Sequence, residues 1–169
     1  PSAASLRKFL TDEDIFGDDE GMLRFHTKNN PSEAFREFQI YDYLCAITDK
    51  LLGAPRCPED KIAKRQYVQY EWIRITMELY RREKWFSSGL IYWMLNDCWP
   101  ACGWAIIDYY ARPKAAWYGF RRAAAPVVAS IDEQSGRYRL HVCCDGRAPA
   151  LGTARLFLQA FDRAEPLAE

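Results

Sequence analysis

The sequence predicts an α/β fold in which a strand covered by helices is followed by antiparallel β structure. Residues 31–52 and 59–84 carry apolar side chains at helical spacing, and LIYWML (90–95) is an unbroken apolar run of strand length. A run without polar alternation is typical of a strand buried on both faces, as in a parallel sheet beneath helices. Three segments with partial alternation, typical of an antiparallel sandwich, then make up the C-terminal region: PVVASID, GRYRLHVCC and TARLFLQAF.

The N-terminal region is predicted to be helical, with one loop. Ser2 can cap a short helix over residues 2–10, and Thr11 can cap a further turn, because a hydroxyl at the N-cap accepts a bond from a free backbone N–H group. The polar segment GDDEGMLRFHTKNNP is predicted to be a loop. The helix over 31–52 ends at Gly53, a residue type that suits the left-handed conformation found after helix C-termini.

The strand at 90–95 indicates that the chain is incomplete. It is the only strand of its kind in the 169 residues, and one parallel strand cannot satisfy its own backbone groups. Its partners are therefore expected in the remainder of the parent chain or on another chain. The preceding helix carries an apolar stripe that must be buried, formed by Val68, Trp72, Ile75 and Leu79.

A domain boundary is predicted where a helix over 112–125 is closed by Pro126. Residues 1–125 then belong to the α/β domain and residues 126–169 to the start of a β-sandwich. Three strands cannot bury a sandwich core alone, so the second domain is also expected to be truncated.

Composition excludes several classes of protein. Lys and Arg number 23, as do Asp and Glu, so the formal net charge is zero and no basic stretch predicts nucleic-acid binding. No apolar run approaches the ~20 residues of a membrane span. Six cysteines are too few for a disulfide scaffold, and reduced thiols favour a cytoplasmic location, with any signal peptide lost along with the true N-terminus.

No metal or cofactor site is predicted. Cys98 and Cys102 lie four residues apart, but His26 and His141 are distant in sequence, and a zinc site usually has four N or S ligands. The sequence contains no glycine-rich phosphate-binding loop.

The strand tip is the candidate site, because the carboxyl ends of strands form the mouth of an α/β barrel. Trp93 lies near the end of the predicted strand, and Asn96, Asp97 and Trp99 lie on its rim. Tryptophan faces together with amide and carboxylate groups suit a pocket for a sugar. The alternative is that Asp97 caps the following turn while both rings fill core.

Residues 88–127 resemble the final barrel strand and helix of the β-mannosidase branch of glycoside hydrolase family 2, which shows a GxxYWQLNDxWP…SWxxxDYYGxxK pattern. RQYVQYE (65–71) and PSAASLRKFL (1–10) resemble upstream segments of that family. Met94 and Ala111 depart from the pattern, which has Gln and Gly there. The matching residues are Gly89, Tyr92, Trp93, Leu95, Asn96, Asp97, Trp99, Pro100, Trp104, Asp108, Tyr109, Tyr110 and Lys114.

The resemblance implies the C-terminal part of a (β/α)8 TIM barrel, followed by the start of an immunoglobulin-like sandwich, from an enzyme that acts on β-mannosides or related β-glycosides. Such retaining enzymes use two carboxylates about 5 Å apart. In the family the nucleophile is the Glu of SEFG and the acid/base follows an Asn, and neither motif occurs in this chain. No catalytic residue is therefore assigned, and the chain alone is expected to be inactive. Trp93 would supply one wall of the −1 subsite.

Two other functions remain open at this point. A non-catalytic carbohydrate-binding module would use exposed Trp93 and Trp99, although the helix-rich first half argues against a self-contained sandwich. A scaffold or interaction fragment would have buried rings and no ligand.

Overall fold

The computed structural model describes residues 1–27, 40–146, 151–158, 160 and 165–166. The chain forms two compact units, Pro1–Ala124 and Ala125–Glu169. That these units are part of a barrel and part of a sandwich stays a prediction. The described helices and strands are α1 Ala3–Leu6, α2 Asp12–Phe16, α3 Gly21–Phe25, α4 Ile40–Leu52, α5 Pro58–Arg82, α6 Ala115–Ala123, β1 Val127–Gln134 and β2 Arg137–Cys144.

The first two helices begin at the predicted caps. The Ser2 hydroxyl accepts a hydrogen bond from the Ser5 N–H group (3.2 Å), which places α1 directly after it. Thr11 and Asp14 form a capping box, because the Asp14 N–H donates to Thr11 Oγ1 (3.1 Å) and the Thr11 N–H donates to Asp14 Oδ2 (2.8 Å). Two free backbone donors at the start of α2 are thereby satisfied.

The loop predicted from Gly17 onward is wrong in its middle part, where α3 forms. Leu23 on α3 is buried in the first core, and Asp19 Oδ1 accepts a hydrogen bond from the Gly21 N–H group (2.8 Å) just at the start of the helix. So short a helix depends on tertiary burial more than on its own propensity. The glycines and acidic residues around α3 are typical of loops, so the sequence did not predict this helix.

The long helices follow the predicted order. Gly53 has a φ of 76° directly after α4, as expected of the residue that ends a helix in the left-handed conformation. The predicted start of this helix, at residues 31–39, lies outside the described residues. α5 begins with Pro58 in its first turn, where a missing N–H group costs nothing. Among the described helices, none is both long and apolar enough to cross a membrane.

Two apolar clusters form the core of the first unit. The first joins the N-terminal helices and the start of α4 to α5 through Leu6, Leu10, Ile15, Leu23, Tyr41 and Ile62. The second lies between α5 and α6 and is formed by Ile73, Ile106 and Ala116. Gly119 lets these helices approach closely, because a Cβ atom there would lie 2.6 Å from the backbone oxygen of Tyr70. The second cluster therefore fixes α6 against α5, next to residue 106.

The predicted burial of the α5 stripe is wrong for most of its length within this chain. Val68 is buried, but Trp72, Ile75 and Leu79 are each nearly half exposed. The second apolar cluster lies on the side of α5 that carries Ile73. Apolar periodicity predicted that the stripe has a partner, and none of the described residues covers it fully.

The predicted strand over 90–95 is not formed as a strand in this structure. Its described backbone bonds run to one neighbouring segment, since Ile107 N–H donates to Leu95 O (2.9 Å) and Ile106 N–H donates to both Met94 O and Leu95 O (3.3 and 3.2 Å). A parallel bridge joins Asn96 to Ile107. A parallel strand needs neighbours with which to form a ladder, and the described residues supply only this short contact.

The first two of the three strands predicted in the second unit form a β-hairpin. β1 pairs antiparallel with β2, and Val127 lies opposite Cys144. Ser135 and Gly136 both have positive φ (55° and 73°), as a two-residue type I′ turn requires. The third predicted strand is not formed over its described residues 153–158, which contain only a bridge at Leu158. The described part of this unit is therefore a hairpin, and the sandwich stays a prediction.

Lys114 closes the segment 97–103 into a loop. Its Nζ atom donates to Asp97 Oδ2 (2.5 Å) and to the backbone oxygen of Gly103 (3.0 Å). The side chains of Lys114 and Asp97 have no exposed surface. Since Lys114 is the N-cap residue of α6, this ion pair ties the loop to the α5–α6 pair.

The turn between the loop and α6 is built around Asp108. Its carboxylate accepts hydrogen bonds from the backbone N–H groups of Tyr110 and Arg112 (both 2.9 Å). Burial alone would raise the pKa of Asp108. The hydrogen bonds from Ser5 and from these two N–H groups together lower the pKa by more than burial raises it, so it lies below its usual value. Ala111 within this turn has a φ of 60°, the region that favours glycine.

Lys114→Met should cost about 3–5 kcal/mol of unfolding free energy, because it removes the cation that is paired with the buried Asp97 carboxylate. Urea unfolding of the purified protein measures the loss. The double variant Asp97→Leu/Lys114→Met should lose less stability than Lys114→Met, since both charges of the pair are then removed. Lys50→Met removes an exposed lysine and should change stability by under about 0.5 kcal/mol. Equal stability of Lys114→Met and wild type would show that the pair does not hold the loop.

Ala111→Gly should stabilise the protein by about 0.5–1 kcal/mol. A left-handed alanine costs roughly 1–2 kcal/mol, and the added freedom of glycine in the unfolded chain offsets about 0.4–1 kcal/mol of that gain. Thermal unfolding provides the measurement. Ala46→Gly, at an exposed position inside α4, should instead destabilise by up to about 1 kcal/mol. A loss of stability in both variants would contradict the strain at Ala111.

Candidate active-site segment

The predicted site residues lie on a segment anchored by buried neighbours. The Asp97 N–H group donates to the Ile107 backbone oxygen (3.1 Å), next to the bridge between Asn96 and Ile107. Ala105 and Ile106 beside this bridge are buried. The backbone of residues 94–97 is therefore fixed against the second apolar cluster, and its side chains diverge from there.

Trp93 is the exposed aromatic residue of this segment. It retains 75% of its accessible surface and lines a cavity of about 430 Å³ in the first unit. Most of the cavity wall is apolar, with a few polar groups, as in many sites for small ligands. Other wall residues include Arg65, Gln69, Trp72, Tyr92 and Trp104.

Asn96 and Asp97, although adjacent, have different environments. Asn96 is exposed, and its Nδ2 group donates to the backbone oxygen of Asp97 (3.3 Å). Asp97 is only 2% exposed and is paired with Lys114. Asn96 can therefore offer its amide to a ligand. Asp97 instead stabilises the segment through its buried ion pair with Lys114. The role of both residues in substrate binding stays a prediction.

Trp99 is half-buried against other rings. Its ring stacks on His26 with 5.0 Å between centroids and 23° between planes, and Phe25 meets it edge-on at 5.6 Å. Trp99 therefore lies in a packed aromatic group, while Trp93 lies on the cavity wall. Among the ring contacts of the described residues, none joins Trp93 to Trp99.

Two polar side chains support the cavity wall through the Trp104 backbone oxygen. Tyr92 Oη and Gln69 Nε2 both donate to this oxygen, the latter over 3.2 Å. Burial raises the pKa of Tyr92 to about 12, so the phenol is protonated and can donate at neutral pH. These bonds fix the segment after the loop to α5.

A partly buried polar cluster beside the cavity was not predicted. Tyr41 Oη donates to Glu20 Oε2 (2.9 Å), Arg65 Nη1 donates to Tyr41 Oη (2.6 Å), and Lys61 pairs with Glu20. Burial alone would raise the pKa of Glu20. The bonds from Lys61 and Tyr41 lower the pKa by more than burial raises it, so the pKa lies below its usual value. Sequence separations of 21 to 41 residues give no local signal of such a cluster.

The two cysteines considered as metal ligands have different environments. Cys98 is exposed and Cys102 is partly buried, and burial raises the pKa of the Cys102 thiol to about 11. In the part of the chain that the structure describes, no three His, Cys, Asp or Glu side chains are grouped so that they could hold a metal ion.

Comparison with curated proteins identifies relatives along most of the chain, although no family model matches. The chain is 35% identical over 129 residues to an exo-β-D-glucosaminidase from Arthroderma benhamiae, which covers 73% of this chain and 14% of the relative. It is 27% identical to β-mannosidase B from Aspergillus niger over 186 residues, which covers the whole chain and 21% of the relative.

Solved structures give a consistent result. The β-D-mannosidase from Dictyoglomus thermophilum matches with a TM-score of 0.72 and 26% identity, over 86% of this chain and 17% of that enzyme. The chain thus spans about a fifth or less of the length of these relatives. The family indicated by the strand-tip motif is confirmed. The chain belongs to the β-mannosidase-like branch of glycoside hydrolase family 2, a family of glycosidases.

Proposed function

We propose that this chain is the C-terminal part of the (β/α)8 barrel of a retaining β-glycosidase and the start of the immunoglobulin-like sandwich that follows it. The chain supplies one wall of the −1 subsite, and the rest of the parent protein supplies the catalytic carboxylates. The substrate class is β-mannosides or related β-glycosides. The names of the relatives support this class, since they include β-mannosidases and exo-β-D-glucosaminidases.

The observation that carries the proposal is the exposure of Trp93 on the cavity wall. An indole face left largely open to water is unfavourable and suits the CH-rich face of a sugar ring. Asn96 is exposed nearby in sequence and offers an amide donor and a carbonyl acceptor to sugar hydroxyls. Trp93 and Asn96 would contact the sugar directly, while Asp97 and Trp99 would hold the segment in shape.

In the proposed reaction this wall orients the sugar. A carboxylate nucleophile attacks the anomeric carbon while a carboxylic acid protonates the leaving oxygen, and water then releases the glycosyl-enzyme intermediate. The transition state resembles an oxocarbenium ion. The indole face excludes water from one side of the ring and fixes its position, so that the attacking carboxylate from the parent chain meets the anomeric carbon in line.

Glu20 beside the cavity and Glu71 and Glu78 on α5 are each bound by other side chains and do not suit the catalytic roles. Glu20 is bound to Lys61 and Tyr41, and Arg74 binds both Glu71 and Glu78 on α5. An ion pair disfavours the protonated carboxyl that an acid/base residue needs, and both carboxylate oxygens of Glu20 already accept bonds from its partners. This supports catalytic groups outside the chain.

The exposed stripe on α5 suits a contact with the parent protein. Trp72, which belongs to the stripe, also lines the cavity, as Trp93 does. In the proposed barrel, neighbouring strands of the parent chain cover the stripe and extend the 90–95 segment into a parallel sheet. The remainder of the parent chain is therefore the proposed protein partner.

The alternative of a carbohydrate-binding module is not favoured. The matched relatives are named as hydrolases, and the matched region is mostly helical in its first unit. A binding module would also use Trp99 as an open platform, and Trp99 instead stacks on His26.

The isolated 169-residue chain should hydrolyse no aryl β-mannoside or aryl β-glucosaminide, whereas the full-length protein should hydrolyse at least one of them. The physical reason is that hydrolysis requires both carboxylates of the pair. Release of p-nitrophenol measures the activity, and NMR of the first-formed sugar should show retained anomeric configuration. Normal turnover by the isolated chain would place the nucleophile within it and refute the assignment.

Trp93→Ala in the full-length protein should lower kcat/KM about 30-fold, which corresponds to about 2 kcal/mol of lost apolar contact in the transition state. The melting temperature should stay close to that of wild type, because the ring is largely exposed. Trp85→Ala is the matched control, since Trp85 is 91% exposed and does not line the cavity. If Trp93→Ala lowered stability and left kcat/KM unchanged, Trp93 would be a structural ring.

A further inference from the structure

We infer that His26 is a positioning residue that fixes the ring of Trp99 and the centre of the loop 97–103. The inference rests on the proposed function, because it concerns the support of the candidate sugar-binding wall. His26 directly follows α3 and is 9% exposed.

His26 makes three different contacts with the loop. Its ring Nδ1 lies 2.7 Å from the backbone oxygen of Pro100, its own backbone oxygen accepts from the Cys102 N–H group (2.7 Å), and its ring stacks on Trp99. Contacts to residues 99, 100 and 102 together restrain the position and the orientation of the loop. The backbone oxygen would be present with any residue at this position, whereas the Nδ1 bond and the ring contact both belong to the histidine side chain.

The hydrogen bond defines the state of the imidazole. Pro100 O can only accept, so Nδ1 carries a proton and donates. The positioning role therefore requires the Nδ1–H group, which His26→Phe would remove.

Lys114 and His26 contact different parts of the loop. Lys114 binds Asp97 and Gly103 at the two ends, and His26 contacts Trp99 and Pro100 between them. His26 reaches the loop from the N-terminal region, 74 residues away from Pro100 in sequence. The two anchors together determine how the loop meets the segment that carries Trp93.

An ordinary core histidine is the competing explanation. The ring also contacts Phe9 at 4.8 Å and Phe25 at 5.3 Å, so it contributes to apolar packing. The two explanations differ in what happens when packing and hydrogen bonding are separated. His26→Phe keeps a ring and removes the donor, whereas His26→Asn keeps a donor near the Nδ1 position and removes the stacking ring.

The experiment uses the full-length protein labelled with 5-fluorotryptophan, with the Trp99 resonance assigned by Trp99→Phe. His26→Asn should shift and broaden the Trp99 ¹⁹F signal, because the stacked ring is lost, and His26→Phe should broaden it, because the loop loses its central bond. Phe9→Leu is the packing control, since it alters another contact of the His26 ring and keeps the bond to the loop. An unchanged Trp99 signal in both His26 variants would overturn the inference whether or not the protein is a glycosidase.

Kinetics on the same variants supply the second measurement. Each His26 variant should lower kcat/KM about tenfold, equivalent to about 1.4 kcal/mol. In the Trp99→Ala background His26→Phe should cause little further loss, because a residue that acts through Trp99 is not additive with it. Additive losses, or His26 variants within about twofold of wild type while the protein is active, would contradict the positioning role. Inactivity of the wild-type protein would instead count against the proposed function, and the fluorine signal would still decide the role of His26.

Discussion

The buried ion pair between Lys114 and Asp97 is the interaction on which the candidate site depends. Removing two charges from water costs several kcal/mol per ion, and only close pairing with further hydrogen bonds offsets that cost. Here Lys114 also binds the Gly103 backbone oxygen, so its charge is used to close a loop. Because Lys114 precedes α6, which packs against α5, the helix pair determines where the loop lies.

This constraint explains why polar and aromatic side chains follow the most apolar segment of the chain. Once Asp97 is held inside by Lys114, the backbone bridge to Ile107 leaves Asn96 exposed. Trp93 lies on the cavity wall and Trp99 packs on His26. The sequence left open whether both rings bind a ligand or both fill core. The structure separates them, because each ring has a different environment.

The sequence was most informative where a signal is local. Ser2, Thr11 and Gly53 marked helix ends correctly, since capping involves residues three or four positions apart. The family was predictable because the spacing around residues 89–114 is specific. Long-range pairs such as Lys114 with Asp97, or His26 with Pro100, leave no pattern in one sequence. α3 was missed because its formation depends on burial of Leu23 in the tertiary structure.

The exposed stripe on α5 shows a further limit of sequence periodicity. The pattern of Val68, Trp72, Ile75 and Leu79 suits burial in a whole protein, and this chain spans about a fifth or less of the relatives it matches. α5 is apolar on two sides, since Ile73 is covered by the second cluster while Trp72 is not. A helix with two apolar sides is typical of a layer between two others. In the proposed barrel the second side faces the strands of the parent chain, and the same strands would give the 90–95 segment the ladder that it lacks here.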